Sequence, residues 1–163
     1  HPSRGDWYFE MQALGYNYRL TDIQSALGLS QLKRLDVFIE KRRAIASYYH
    51  EALKDCEAVI LPPEDDAVHQ SSWHLFVIRL AKGREKLRDE VVKKLREAGI
   101  GVQIHHIPVH MHPFYEDLGF SAGMFPVAEA FYESIISLPI YPDLAQGQQD
   151  EVIETLKKVL YSF

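Results

Sequence analysis

GYNYRLTDIQSALG, residues 15–28, is the stretch on which the reading of the fold turns. Thr21 and Gln24 occupy the two positions of a capping box, where a hydroxyl accepts from a backbone N–H three residues on and the Gln side chain reaches back. Asp22 falls in the first turn, where the positive end of the helix dipole favours a carboxylate. The spacing predicts a helix from Asp22 to Leu32. Ahead of it, two aromatics, an amide and a guanidinium crowd a segment that no helix orders. Asn17 offers donors and an acceptor, and Arg19 a planar fork suited to phosphate or carboxylate. That composition at a helix start reads as an anion-contacting loop. The plain alternative is ordinary capping with a surface ion pair.

Downstream, Leu35, Phe38, Ile39, Arg42, Ile45, Ala46, Tyr49 and Leu53 recur at spacings of three and four. They predict a longer helix over about 35–54 whose apolar stripe is broken only by Arg42, with a stem able to lie along it. Ser25, Ala26 and Gly28 form a small-residue patch on the first helix. It suits either a core crossing or a subunit interface.

Pro62-Pro63 stops helix and ladder alike, so residues 62–66 read as a loop. WHLFVIRL, residues 73–80, alternates and is rich in strand formers. Residues 84–98 predict a helix with Leu87, Val91, Val92 and Leu95 inward, closed by Gly99. Residues 102–105 predict the next strand, completing a strand–helix–strand unit. Residues 106–123 are irregular and dense in His, Pro and aromatics. Pro126 suits the first turn of a helix reaching about Ile136. Residues 137–141, SLPIY, predict an edge strand, since Pro139 cannot donate to a ladder. A last helix spans about 146–160, with Val152, Ile153, Leu156, Val159 and Leu160 inward. The expected fold class is α+β, a small mixed sheet, at least partly antiparallel, covered by helices.

The chain has 163 residues, 47% hydrophobic and 25% charged, which suits one ordinary core. A net charge of −5 argues against a nucleic-acid-binding surface. The single cysteine, Cys56, cannot form an internal disulfide and suits a reducing cytoplasm. No apolar run approaches membrane-spanning length, and HPSRGD at the start is no signal peptide. The absence of an initiator Met is consistent with a truncated or proteolysed chain. The expectation is a cytoplasmic domain without membrane or nucleic-acid partners.

GYNYRLTDIQSALGLSQLKRLDVFIEKRR resembles the signature of the DegT/DnrJ/EryC1/StrS family of pyridoxal-phosphate-dependent sugar aminotransferases. Within that family, WYFEMQALGYNYRLTDIQ and QIHHIPVHMHPFYEDLGF are most similar to the UDP-amino-sugar transaminases of pseudaminic acid biosynthesis. The resemblance runs from Trp7 to Leu160. It implies the C-terminal small domain of a fold-type I enzyme, with 1–21 as a leading segment from a missing large domain and 22–163 as the small domain with its connecting helices. It implies a homodimer in which Asn17 contacts the partner's cofactor phosphate and Arg19 faces its substrate. It also places His105 and His110 near the substrate, with an aromatic between them where this chain has His106. His112 and Tyr115 are further neighbours.

A transaminase needs an amine to condense with the cofactor aldehyde. All nine lysines have ordinary explanations on helices, at their ends or in a turn, and no glycine-rich phosphate loop is present. No catalytic residue is therefore expected in this chain, and pyridoxal 5'-phosphate would not be bound covalently by it. His105, His106, His110 and His112 lack the acidic or thiol partners and the spacing of a zinc site, so no metal is expected. His50, His69 and His74 read as surface or strand histidines, and Lys41-Arg42-Arg43 as a solvated helix face.

The first functional reading is the C-terminal domain of an enzyme moving an amino group from glutamate, with 2-oxoglutarate as co-product, onto a UDP-linked 4-keto sugar for cell-surface glycan. The rival is a non-catalytic dimerisation or binding module. The missing lysine fits the rival, whereas Asn17, Arg19 and His105 fit an enzyme origin.

Overall fold

The computed structural model describes residues 13–16 and 18–163. Asn17, with its expected cofactor contact, and most of the leading segment lie outside the described residues. The chain divides into two compact units between Leu35 and Asp36.

The first unit contributes helix α1, Asp22–Leu32. Its start is the capping box read from the sequence: Gln24 N donates to Thr21 Oγ1 at 3.3 Å, and Thr21 N donates to Gln24 Oε1 at 3.0 Å. None of its residues is buried, and Ile23, Leu27, Leu29 and Leu32 are exposed. Ahead of it, the rings of Tyr16 and Tyr18 stack at 5.5 Å. Arg19 is exposed.

The second unit holds the core. Helix α2, Leu35–Leu53, opens just ahead of the division and buries Ile45, Ala46, Tyr49, His50 and Leu53. The predicted stripe is thus buried only in its C-terminal half, and Leu35 is exposed. His50 is a correction to its surface reading: it packs edge-on against Trp73 and Phe76, at 5.6 and 5.2 Å between ring centres. Arg42 does more than lay its stem along the stripe. Its Nη1 donates to the carbonyls of Trp73, His74 and Ile140 at 3.0, 3.1 and 3.0 Å.

Strands β1 (Val59–Ile60), β2 (Phe76–Leu80) and β3 (Ile135–Leu138) form one sheet in that order, antiparallel throughout. Phe76, Ile78 and Leu80 point into the core, as alternation dictates. All four residues of β3 are buried. The predicted strand at 73–80 is shortened because Trp73 adopts a left-handed backbone, φ +48°, which no strand can hold. The strand predicted at 102–105 reduces to one antiparallel bridge, Gln103 to Ser137.

A 3₁₀ turn at Glu85–Leu87 leads into α3, Arg88–Glu97, which buries Val91, Val92 and Leu95 and ends at Gly99 with φ +86°. After a 3₁₀ turn at Val109–Met111 come α4, Pro113–Glu116, and α5, Pro126–Ser134. β3 then starts two residues earlier than predicted and stops before Pro139. Helix α6, Gln146–Leu160, buries Val152, Ile153, Leu156, Val159 and Leu160 among others. Tyr49, Phe76, Ile78, Leu95, Val102 and Leu156 are wholly buried where α2, α3 and α6 meet the sheet.

Candidate functional site

The backbone of Gln103 exchanges hydrogen bonds with Ser137, at 3.2 and 2.8 Å, and so delivers the following residues to the edge of β3. His105 Nδ1 then lies 2.9 Å from Ser137 Oγ. Its ring meets that of His106 edge-on at 4.8 Å. Both histidines line a cavity of about 760 Å³ whose other walls come from Pro108 and from residues 124–135, chiefly Met124, Phe125, Val127, Phe131 and Ile135. The cavity is apolar except for its histidine side and Tyr132. A polar ligand entering it finds hydrogen-bonding groups at one end and a greasy wall at the other.

His110 is placed differently. It is buried, and its Nε2 lies 2.8 Å from Glu129 Oε1. It lines a second cavity of about 380 Å³ with Tyr115, Phe120 and Phe125. His112 caps the start of α4 with an exposed side chain and lines neither cavity. Among the described residues, no three His, Cys, Asp or Glu side chains gather to hold a metal ion.

Glu129 was not singled out in the sequence, yet it organises this region. Its carboxylate accepts from Gly123 N at 2.8 Å and from Phe125 N at 3.1 Å, besides facing His110. The Gly123 N–H first, then His110 and the Phe125 N–H, hold its carboxyl below the usual carboxylate range, against the effect of burial. The available signal was an acid in the first turn of a helix opened by Pro126, preceded by a glycine free to adopt φ +91°.

None of the nine lysines lines the larger cavity. Lys41 pairs with Asp143, Lys54 with Glu51, and Lys94 reaches Ser162 and the face of Phe163. The family model for DegT/DnrJ/EryC1/StrS aminotransferases matches residues 2–157. The chain belongs to this family. Among its relatives, the spore coat polysaccharide biosynthesis protein SpsC of Bacillus subtilis is 37% identical over 164 residues, covering 98% of this chain and 42% of SpsC. The structure of Helicobacter pylori PseC, an aminotransferase involved in the biosynthesis of pseudaminic acid, superposes with a TM-score of 0.86 at 30% identity, over 99% of this chain and 43% of PseC. A Streptococcus pneumoniae protein described as a sugar aminotransferase, in its PLP form, gives 0.88 at 29% identity, over 96% and 40%. The same protein is also solved in a PMP form. The fold is therefore that of the C-terminal domain of these fold-type I enzymes. The chain spans about two-fifths of the length of the curated relatives it matches.

Pyridoxal phosphate presents an aldehyde that wants an amine and a phosphate that wants N–H donors or cations. The larger cavity offers neither a lysine nor an arginine, and its walls are mostly hydrocarbon. The residues of this cavity do not by themselves fit the cofactor, and no step of its chemistry is assigned to them.

Proposed function

We propose that this chain forms the substrate-side, C-terminal portion of a pyridoxal-phosphate-dependent nucleotide-sugar aminotransferase. The amino group passes from glutamate to a UDP-linked 4-keto sugar. The observation that carries the reading is the family match across residues 2–157, together with His105, oriented by Ser137, in the wall of a mostly apolar cavity. In this reading residues 22–163 are the small domain with its connecting helices, and 1–21 lead in from the large domain. The lysine that anchors the cofactor comes from outside this chain.

The roles follow from chemistry. Arg19, exposed ahead of α1, orients a carboxylate or the nucleotide sugar of the opposite subunit through its planar fork. Asn17 donates to the phosphate of the cofactor there, in a cytoplasmic homodimer. His105 donates to a sugar or pyrophosphate oxygen, and His110 backs the same site from the smaller cavity. The placement of all nine lysines away from the cavity favours a second reading, in which the chain alone is a non-catalytic binding or dimerisation module.

Subunit complementation separates them. Arg19→Ala subunits of the complete enzyme are mixed with subunits lacking the cofactor-anchoring lysine. If Arg19 works across the interface, heterodimers hold one doubly defective and one intact site and recover activity. No recovery despite verified subunit exchange rejects the cross-subunit role. No transamination by the unmodified complete protein rejects the enzyme reading.

A further inference from the structure

Two hollows meet at Phe125. The cavity beside His105 counts Pro108, Phe125 and Ala128 among its walls, and so does the smaller one lined by His110, Tyr115 and Phe120. These three residues are the partition between them. Pro108 is rigid and Ala128 has no rotor, so Phe125 is the member whose rotation would change the space on either side.

Phe125 is 46% exposed, so burial alone does not fix it. Its ring instead leans on His110 at 4.7 Å and stacks with Phe120 at 6.4 Å. Glu129 secures both the ring's own backbone and one of its supports, since it accepts from Phe125 N and faces His110 Nε2. Through Gly123 N it also fixes the turn that leads into the partition.

We propose that Phe125 is a specificity-determining partition that limits how long a substituent the His105 cavity accepts, and that Glu129 is the positioning residue that holds it. The larger cavity is apolar along Met124, Val127, Phe131 and Ile135 and polar at His105 and His106. The matching ligand is a sugar bearing an acyl group, its oxygens at the histidine end and its acyl chain along the wall toward Phe125. The choice of a sugar rests on the function proposed above; the partition does not.

The test titrates the protein with UDP-N-acetylglucosamine and its N-hexanoyl analogue, read by the methyl resonance of Met124. The unmodified protein should prefer the acetyl sugar. Phe125→Ala, by joining the two hollows, should reverse that order, with the hexanoyl sugar gaining at least about tenfold, the discrimination that a few methylenes carry in an apolar pocket. Phe125→Leu, which keeps more of the packing, should gain part of it. Glu129→Gln should likewise relax the preference, with faster amide exchange at Gly123 and Phe125 and an unchanged fold by circular dichroism. The same acyl preference in a folded Phe125→Leu or Phe125→Ala protein as in the unmodified one overturns the proposal. So does the absence of any Met124 shift with either sugar. Transamination by the complete enzyme is assayed in parallel. A reversed order without transamination leaves the partition standing and removes the enzyme reading, and transamination with an unchanged order does the opposite.

Discussion

Nδ1 of His105 sits 2.9 Å from Oγ of Ser137, the residue whose backbone bridges Gln103 and pairs with Val77 of β2. One residue of β3 thus fixes both where the histidine segment runs and how its ring is turned. Among the described residues no hydrogen bond engages Nε2 of His105, so that nitrogen is the one left for a ligand.

Ser137→Ala should remove the orienting partner without disturbing the ladder. Ser137 is buried, so the loss should cost about 1 kcal/mol of stability, the net worth of one hydrogen bond. The His105 ring signals should broaden or shift in NMR spectra. Unchanged ring signals would show that the hydroxyl does not orient the imidazole.

His50 should make the protein acid-sensitive. Burial between Trp73 and Phe76 holds its imidazole below the ordinary range, against the pull of Glu64 and Asp65. The unfolded chain takes up this proton near pH 6.5, about the free-imidazole value, while the folded chain resists until lower pH. The unfolded state therefore binds more protons in that window. Stability is complete above about pH 6.5 and declines as the pH falls below it. Urea midpoints compared at neutral and mildly acid pH should fall less in His50→Leu than in the unmodified protein. An equal fall in both would assign the acid sensitivity elsewhere.

Arg42→Met keeps the stem and removes the guanidinium that three carbonyls share. Carbonyls left without their charged donor should cost roughly 2–3 kcal/mol, read as a lower denaturation midpoint. Arg42→Lys should rescue little, because an ammonium does not copy the reach and plane of the fork. Full rescue by lysine would mean that charge alone is what matters there.

Gly123→Ala tests backbone strain in isolation. A Cβ at Gly123 meets nothing within 4 Å, but the backbone there has φ +91°. The substitution should cost about 1–2 kcal/mol through conformation alone, and Gly123→Asn less, since asparagine tolerates left-handed geometry better. Equal losses for both would point to the Glu129 contact rather than to strain.

Helix α1 was legible because its signal is local: the two halves of the capping box lie three residues apart. Helix α6 was legible because its apolar spacing is long and regular. β1, two residues long, carries no readable period, and its existence depends on Leu80 and Arg79 being opposite it. The apolar pattern runs on past α5 because Ile135 and Ile136 continue a spacing that either state could use, and pairing with β2 decides for the strand. At the site, His105 is legible only as the last residue of an expected strand over 102–105, and its place near a substrate only through the family resemblance. The hold of Glu129 on His110 spans 19 residues and has no sequence period at all. The burial of His50 has no local signal either, since its aromatic surroundings arrive from β2 and the turn before it.

Part of the cover of helix α2 arrives late. Arg42 reaches Ile140 across 98 residues, Tyr49 donates to Pro139 across 90, and Tyr48 donates to Asp150 across 102. During synthesis the helix leaves the ribosome long before the segments that cover it. A nascent chain halted ahead of Pro139 carries an α2 that can already meet Trp73 and Phe76 but still lacks Pro139, Ile140 and Asp150. Part of its inner face is left open, the kind of surface on which chaperones act. Closure of the core therefore waits until residues 139–150 have been made.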